Sequence, residues 1–196
     1  KKNMANVDAA FGAKAVRHIT GGTIRANEWK ILGDGTSSSN IFTGDFVKLG
    51  ATGYIDVAAA GNRLLGVFAG CSFTNSSGEQ VFSKYYPAST TTQNSGDITA
   101  FVYDDPNIVY AIQSSGSADF ADIGNKADHV AGTGSTTTGH SKFEINGTTG
   151  TGTAGLTILG LYNSPKNAYG TNGVLEATIY EHELNEHIDA DGTPGV

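Results

Sequence analysis

Short alternations of apolar and polar residues recur along this chain, separated by stretches rich in Gly, Ser and Thr. A period of two marks half-buried strands, and the intervening residues mark turns. "TIRANEWKIL" (23–32) reads as the first strand, followed by a polar loop, then "IFTGDFVKLG" and "GYIDVAAA". "LLGVFAGCSF" is an almost unbroken apolar run with small residues, as expected of a strand buried on both faces or set in a barrel wall. "EQVFSKYYPAS" continues into a Thr/Ser/Asn loop. "TAFVYDDPNIVYAIQ" places Asp105-Pro106-Asn107 between two alternating runs, which predicts a tight turn and a β-hairpin. "DFADIGNKADH" predicts a single helical turn. Strands are expected around Phe143–Ile145, Leu156–Tyr162 and in "VLEATIYEHEL". In that last strand Leu175, Ala177 and Ile179 face one way, and Glu176, Thr178, Tyr180 and His182 the other.

Composition supports this reading. Gly, Ser and Thr make up about a third of the 196 residues, and charged residues only 16%, a poor mixture for a helical bundle. With 38% of residues hydrophobic, the chain is not compositionally disordered. The expected fold is mainly β: a single antiparallel barrel or sandwich with little helix. Residues 1–22, with scattered apolar positions and no clean period, read as an extended N-terminal arm. Residues 23–185 form the body, and 186–196 an acidic tail. Met4 reads as a natural start preceded by Lys1–Asn3. One cysteine excludes an internal disulfide. With neither an 18-residue apolar run nor a leader, no membrane span or secretion is expected.

The net charge of −7 is unevenly spread. Residues 1–30 carry six basic residues against two acidic ones, a net +4; the remainder carries six against seventeen, a net −11. An acidic body lacks the dense basic face of a nucleic-acid binder. A basic arm on an acidic body fits protein partners, including another copy of the chain.

Several motifs fall short of chemistry. "YEHELNEHIDADG" begins like a zinc-protease helix, but His182 and His187 are five apart instead of four. That separates them by roughly 140° on a helix and puts them on opposite faces of a strand. Asp189-Ala190-Asp191-Gly192 has too little chain after it for a twelve-residue calcium loop. Gly134 to Ser141 has the P-loop spacing with His140 where the phosphate-binding lysine belongs, and it lacks the strand–helix context. Cys71 reads as a buried small hydrophobe, and Asp104-Asp105 as turn chemistry. His18, His129 and His140 have no obvious partners in the sequence. Trp29 and the eight tyrosines are the raw material of a carbohydrate platform, though on strands they more often pack. No catalytic residues, metal ligands or cofactors are assigned.

Taken together, "MANVDAAFGAKAVRHITGGTIRA", "LLGVFAGCSFTNSSGEQVFSKYYPAS", "VYDDPNIVYAIQ", "DIGNKADHVAGTGSTTTGHSKFEI" and "LGLYNSPKNAYG…EATIYEHEL" resemble structural proteins of tailed bacteriophages of the cyanophage and aquatic type. The resemblance implies a non-enzymatic capsid cement or decoration protein on the outer face of the virion shell. It also implies binding to the phage major capsid protein and self-association as a homotrimer, with no role at nucleic acid or membrane. Alternatives are a tail or head-fibre component, or a carbohydrate-binding module. For the capsid role, Val7, Phe11, Val16 and Ile19 are expected to anchor the arm, while Lys14 and Arg17 pair with acidic partner surfaces. Glu181, Glu183 and Glu186 are expected to act as an acidic handle.

Overall fold

The computed structural model describes residues 6–32, 39–93, 98–152 and 154–185. Its strands form two main layers. The first is a closed five-stranded barrel of β2 (Asn27–Ile31), β3 (Phe46–Leu49), β4 (Ile55–Val57), β5 (Gly66–Thr74) and β7 (Ile98–Tyr103), with β6 (Gln80–Ser83) added outside on β5. The ring runs β3–β4–β2–β7–β5 and closes through Phe46 opposite Val67 and Val47 opposite Gly66. Its pairings are antiparallel except at β2–β4, where Ile31 meets Ile55 in parallel. The second layer is an open antiparallel sheet in the order β1 (Lys14–His18), β8 (Ile108–Gln113), β11 (Val174–Ile179), β10 (Leu156–Leu161), β9 (Lys126–Ala127). The chain is thus mainly β, with one 3-10 turn among the described residues, at Phe120–Asp122, where the sequence predicts a helical turn.

Side-chain alternation divides the interior into two cores. Phe46 and Val67 on β3 and β5 point out of the barrel and pack with Ile108, Tyr110, Ile112, Leu175 and Ile179 of the open sheet. Their neighbours Val47 and Phe68 point inward, with Ile31, Ile55, Ile98 and Val102. A bulge between Phe68 and Gly70 shifts the parity of β5, so that Phe68, Cys71 and Phe73 all face the barrel interior. Gly70 adopts φ +146°, and a Cβ there would lie 3.0 Å from the Ser83 carbonyl oxygen. A side chain would therefore strain the bulge that keeps this parity.

One expectation fails in an instructive way. "TAFVYDDPNIVYAIQ" contains the predicted turn, with Asn107 N–H donating to Asp105 Oδ1 (2.8 Å) and Ile108 N–H to the Asp105 carbonyl (3.1 Å). Its two strands do not pair: β7 lies in the barrel between β2 and β5, and β8 in the open sheet between β1 and β11. The segment is a corner linking the layers, not a hairpin. Trp29 Nε1 and Asn27 Nδ2 donate to the buried Asp104 carboxylate (2.9 and 2.7 Å), and the Tyr110 hydroxyl donates to the Tyr103 carbonyl (3.0 Å). Those bonds hold the bend.

The closing strand is also shorter than its pattern predicts. β11 ends at Ile179, and His182 is buried instead of sharing the solvent side with Glu176 and Thr178. Beyond the strand, Glu181 and Glu183 straddle a bridge between Leu64 and His182. Leu64 N–H donates to the Glu181 carbonyl (2.8 Å) and Glu183 N–H to the Leu64 carbonyl (3.0 Å). Glu183 is accordingly tied to the body. Glu186, His187 and Asp189–Gly192 lie outside the described residues.

Candidate functional site

A cluster of side-chain hydrogen bonds forms the seat of the N-terminal segment. Gln113, at the end of β8, is buried on the side of the open sheet facing away from the barrel. Its Nε2 donates to the carbonyls of Val7 (2.8 Å) and Asn172 (3.1 Å), while its Oε1 accepts from Ala9 N–H (2.9 Å). Asn6 completes the hold: its Nδ2 donates to the carbonyls of Ala168 (2.8 Å) and Thr171 (3.0 Å), and its Oδ1 accepts from Ala168 N–H (3.2 Å). A buried amide satisfied on both sides fixes direction and register together. The segment then turns at Gly12 (φ +77°), where Ala13 N–H reaches the Gly44 carbonyl (2.9 Å), and joins the sheet as β1.

The residues expected to meet a partner divide accordingly. Phe11 is half-buried between two clefts, one of about 580 Å³ bordered by Lys14, Val67, Phe68 and His140, the other of about 430 Å³ bordered by Gln113 and Lys166. Val16 is half-buried at a bulge of β1. Arg17 already has an acidic partner in its own chain, since Nε and Nη2 both donate to Glu176 Oε2 (3.0 and 2.7 Å). Lys14 is exposed, as are Val7 (75%) and Ile19 (51%). The structure thus brings Phe11 and Arg17 onto the body and leaves Val7 and Ile19 outward. Sequence reasoning missed Asn6 and Gln113. The available signal was a lone amide closing the apolar run "NIVYAIQ".

The histidines have partners that the sequence did not reveal. His18 Nε2 pairs with Asp105 Oδ2 (3.0 Å), and its Nδ1 lies 3.0 Å from Thr20 Oγ1. A hydroxyl, an imidazole and a carboxylate in line have the outline of a nucleophilic triad. Here, however, the Nδ1 lone pair also receives the backbone N–H groups of Thr20 and Gly22 (both 3.2 Å). An acceptor already shared by two backbone donors is poorly placed to take a proton from Thr20, and the ring acts as a lock on the Gly21-Gly22 turn. His129 stacks on Phe143 (centroids 5.3 Å, 8° between planes) and donates from Nε2 to the Ala58 carbonyl (2.9 Å). Burial holds it below the ordinary imidazole range. Burial also lowers His182, against the pull of Asp104 and Asp105; its Nδ1 accepts Leu184 N–H (3.0 Å).

Burial pushes the Cys71 thiol up to about 12, which leaves it unreactive. Asp45, buried at the seam between the layers, accepts Phe42 N–H on Oδ2 (2.8 Å) and is raised by burial to about 6. Among the described residues, no three His, Cys, Asp or Glu side chains gather as a metal site. His140 sits in a bridge with Thr43, and no helix follows the Gly134–Ser141 turn. Phe120 and Tyr169 form an exposed aromatic pair at 6.0 Å, but their planes cross at 82° and give no flat sugar platform.

Compared with known proteins, the chain matches no family model, no curated protein and no solved structure.

Proposed function

We propose that this chain is a non-enzymatic decoration protein of a tailed-phage capsid, bound to the outer face of the major capsid shell and bridging its subunits. The observation that carries this reading is large apolar side chains held outward on hydrogen-bonded elements of a mainly β body. Phe82 is 76% exposed on β6, Phe120 70% on the 3-10 turn, and Val7 75% on the seated segment. Single exposed apolar residues are ordinary on a soluble surface. What favours the proposal is that these large ones are mounted on hydrogen-bonded elements, so a partner gains their burial with little ordering cost. Many copies on one lattice would add avidity to each modest contact.

The test is to titrate the purified chain onto undecorated, expanded shells of the phage genome that carries its gene. Saturation at a fixed number of copies per capsomer, with a raised shell melting temperature, is expected. Absence of binding, or binding to tail structures alone, would overturn the assignment.

A further inference from the structure

The side-chain bonds that seat residues 6–18 reach far along the sequence. Asn6 bonds 162 and 165 positions away, Ala9 and Val7 meet Gln113 at 104 and 106, Arg17 meets Glu176 at 159, and His18 meets Asp105 at 87. In addition, β1 is an edge strand whose one strand neighbour is β8. The link back to the barrel, residues 19–26, is exposed apart from the half-buried Ile24. At Gly21 (φ +77°) a side chain would meet open space. The segment is therefore held by the body, not by itself, and is joined to it by a short, solvent-facing connection containing glycine.

We infer that residues 6–18 are an exchangeable element: in assemblies of this chain the segment leaves its own seat and adds as the edge strand of a second copy. The receiving site is complete in the structure. It consists of the β8 edge, the Gln113 amide, the Ala168 and Thr171 carbonyls, and Glu176 to receive Arg17. Exchange replaces each bond by its identical counterpart, so the balance is set by concentration and by the connection between segment and body. The clasp on His18 Nδ1, which folds the connection back through the Thr20 and Gly22 N–H groups, favours the closed form in dilute solution. Crowding of copies shifts the balance toward exchange. Val7 and Ile19, exposed in the closed form, would then lie on the segment that crosses between copies. The inference needs only a second copy and stands apart from the capsid proposal, since a chain that exchanges in solution yet ignores capsids would leave it intact.

The experiment mixes full-length chains of natural and ¹⁵N isotope content over a concentration series. Oligomer and monomer fractions are then separated, cross-linked, and digested for mass spectrometry. Pairs joining residues 6–18 to residues 105–113 or 168–178 are expected to be mixed-isotope in about half of the oligomer signal and in almost none of the monomer signal. Inserting Gly-Ser-Gly-Ser after Gly22 keeps the bonds of the segment and of the His18 clasp and relaxes the connection; it should lower the oligomer fraction severalfold. Oligomers containing same-isotope pairs alone would overturn the inference, as would a chain that stays monomeric throughout the series.

Discussion

In the barrel, each of the five ring strands has a neighbour on both sides, and β5 carries β6 as well. In the open sheet, β1 and β9 have one strand neighbour each. The β9 edge is closed by Gly150, which exchanges two backbone bonds with Lys126 (2.7 and 3.0 Å). The β1 edge borders the larger cleft through Lys14 and Ala15. Closure removes edges, whereas an open sheet has to cover them. The barrel is therefore expected to be the cooperative unit with the slowest exchange, and the edge of the open sheet the place where opening begins.

The strongest way to break this contrast is inside the barrel. Phe68 is fully buried with Ile31, Val102 and Phe73 around it. Phe68→Ala removes most of a large side chain from a closed wall that cannot collapse around the hole, and should cost about 3–5 kcal/mol. Trp29, the only tryptophan, sits on β2 and reports on the barrel. Chemical denaturation followed by its fluorescence and by circular dichroism should show both signals moving to lower denaturant together. If fluorescence alone shifted, the barrel would not hold up the open sheet.

Much of this architecture can be read from the residues, and the parts that cannot share one cause. The apolar run "LLGVFAGCSF" and the alternation in "VLEATIY" mark strands, and the second also marks its inward face, because burial acts on each residue locally. Pairing is not local. "FVY" and "IVYAI" flank a correct Asx turn, yet Trp29 and Asn27 draw Asp104 toward β2 and send the two strands to different sheets. His182 was placed on the wrong side because β11 stops at Ile179 and the chain then turns to meet Leu64. The arm shows the same limit. Its apolar positions Phe11 and Val16 are half-buried, but Gln113, which seats it, stands over a hundred residues away.

A gentler probe of the seam between the regions is pH. Asp45 has an ordinary carboxyl value of 3.8 when unfolded and about 6 when folded, raised by burial. The folded state therefore binds the proton more tightly, and its stabilising contribution is complete below pH 3.8 and lost as pH rises through 6. Asp45→Asn retains an oxygen to accept Phe42 N–H and removes the buried charge. It should raise stability by roughly 3 kcal/mol at pH 7.5 and change it little at pH 4. Melting temperatures of both proteins across pH 4–8 should converge at the acidic end. Divergence at pH 4 instead would mean that the carboxylate is stabilised by its surroundings.

The smallest effect belongs to the edge itself. Arg17 donates twice to one oxygen of Glu176 across β8, with the arginine side chain about half exposed (48%) and the glutamate less so (19%). Pairs this open to solvent are typically worth about 0.2–1 kcal/mol and weaken with salt. Arg17→Ala should therefore leave global unfolding nearly unchanged. What it should alter is local: backbone amides of β1 should exchange severalfold faster in 20 mM salt than in the parent, while those of β5 and β7 do not move. Raising the salt to 0.5 M should shrink that difference, because the parent then loses the same attraction. Uniform acceleration in barrel and sheet alike would show that β1 opens only when everything does, and would erase the distinction between the two regions.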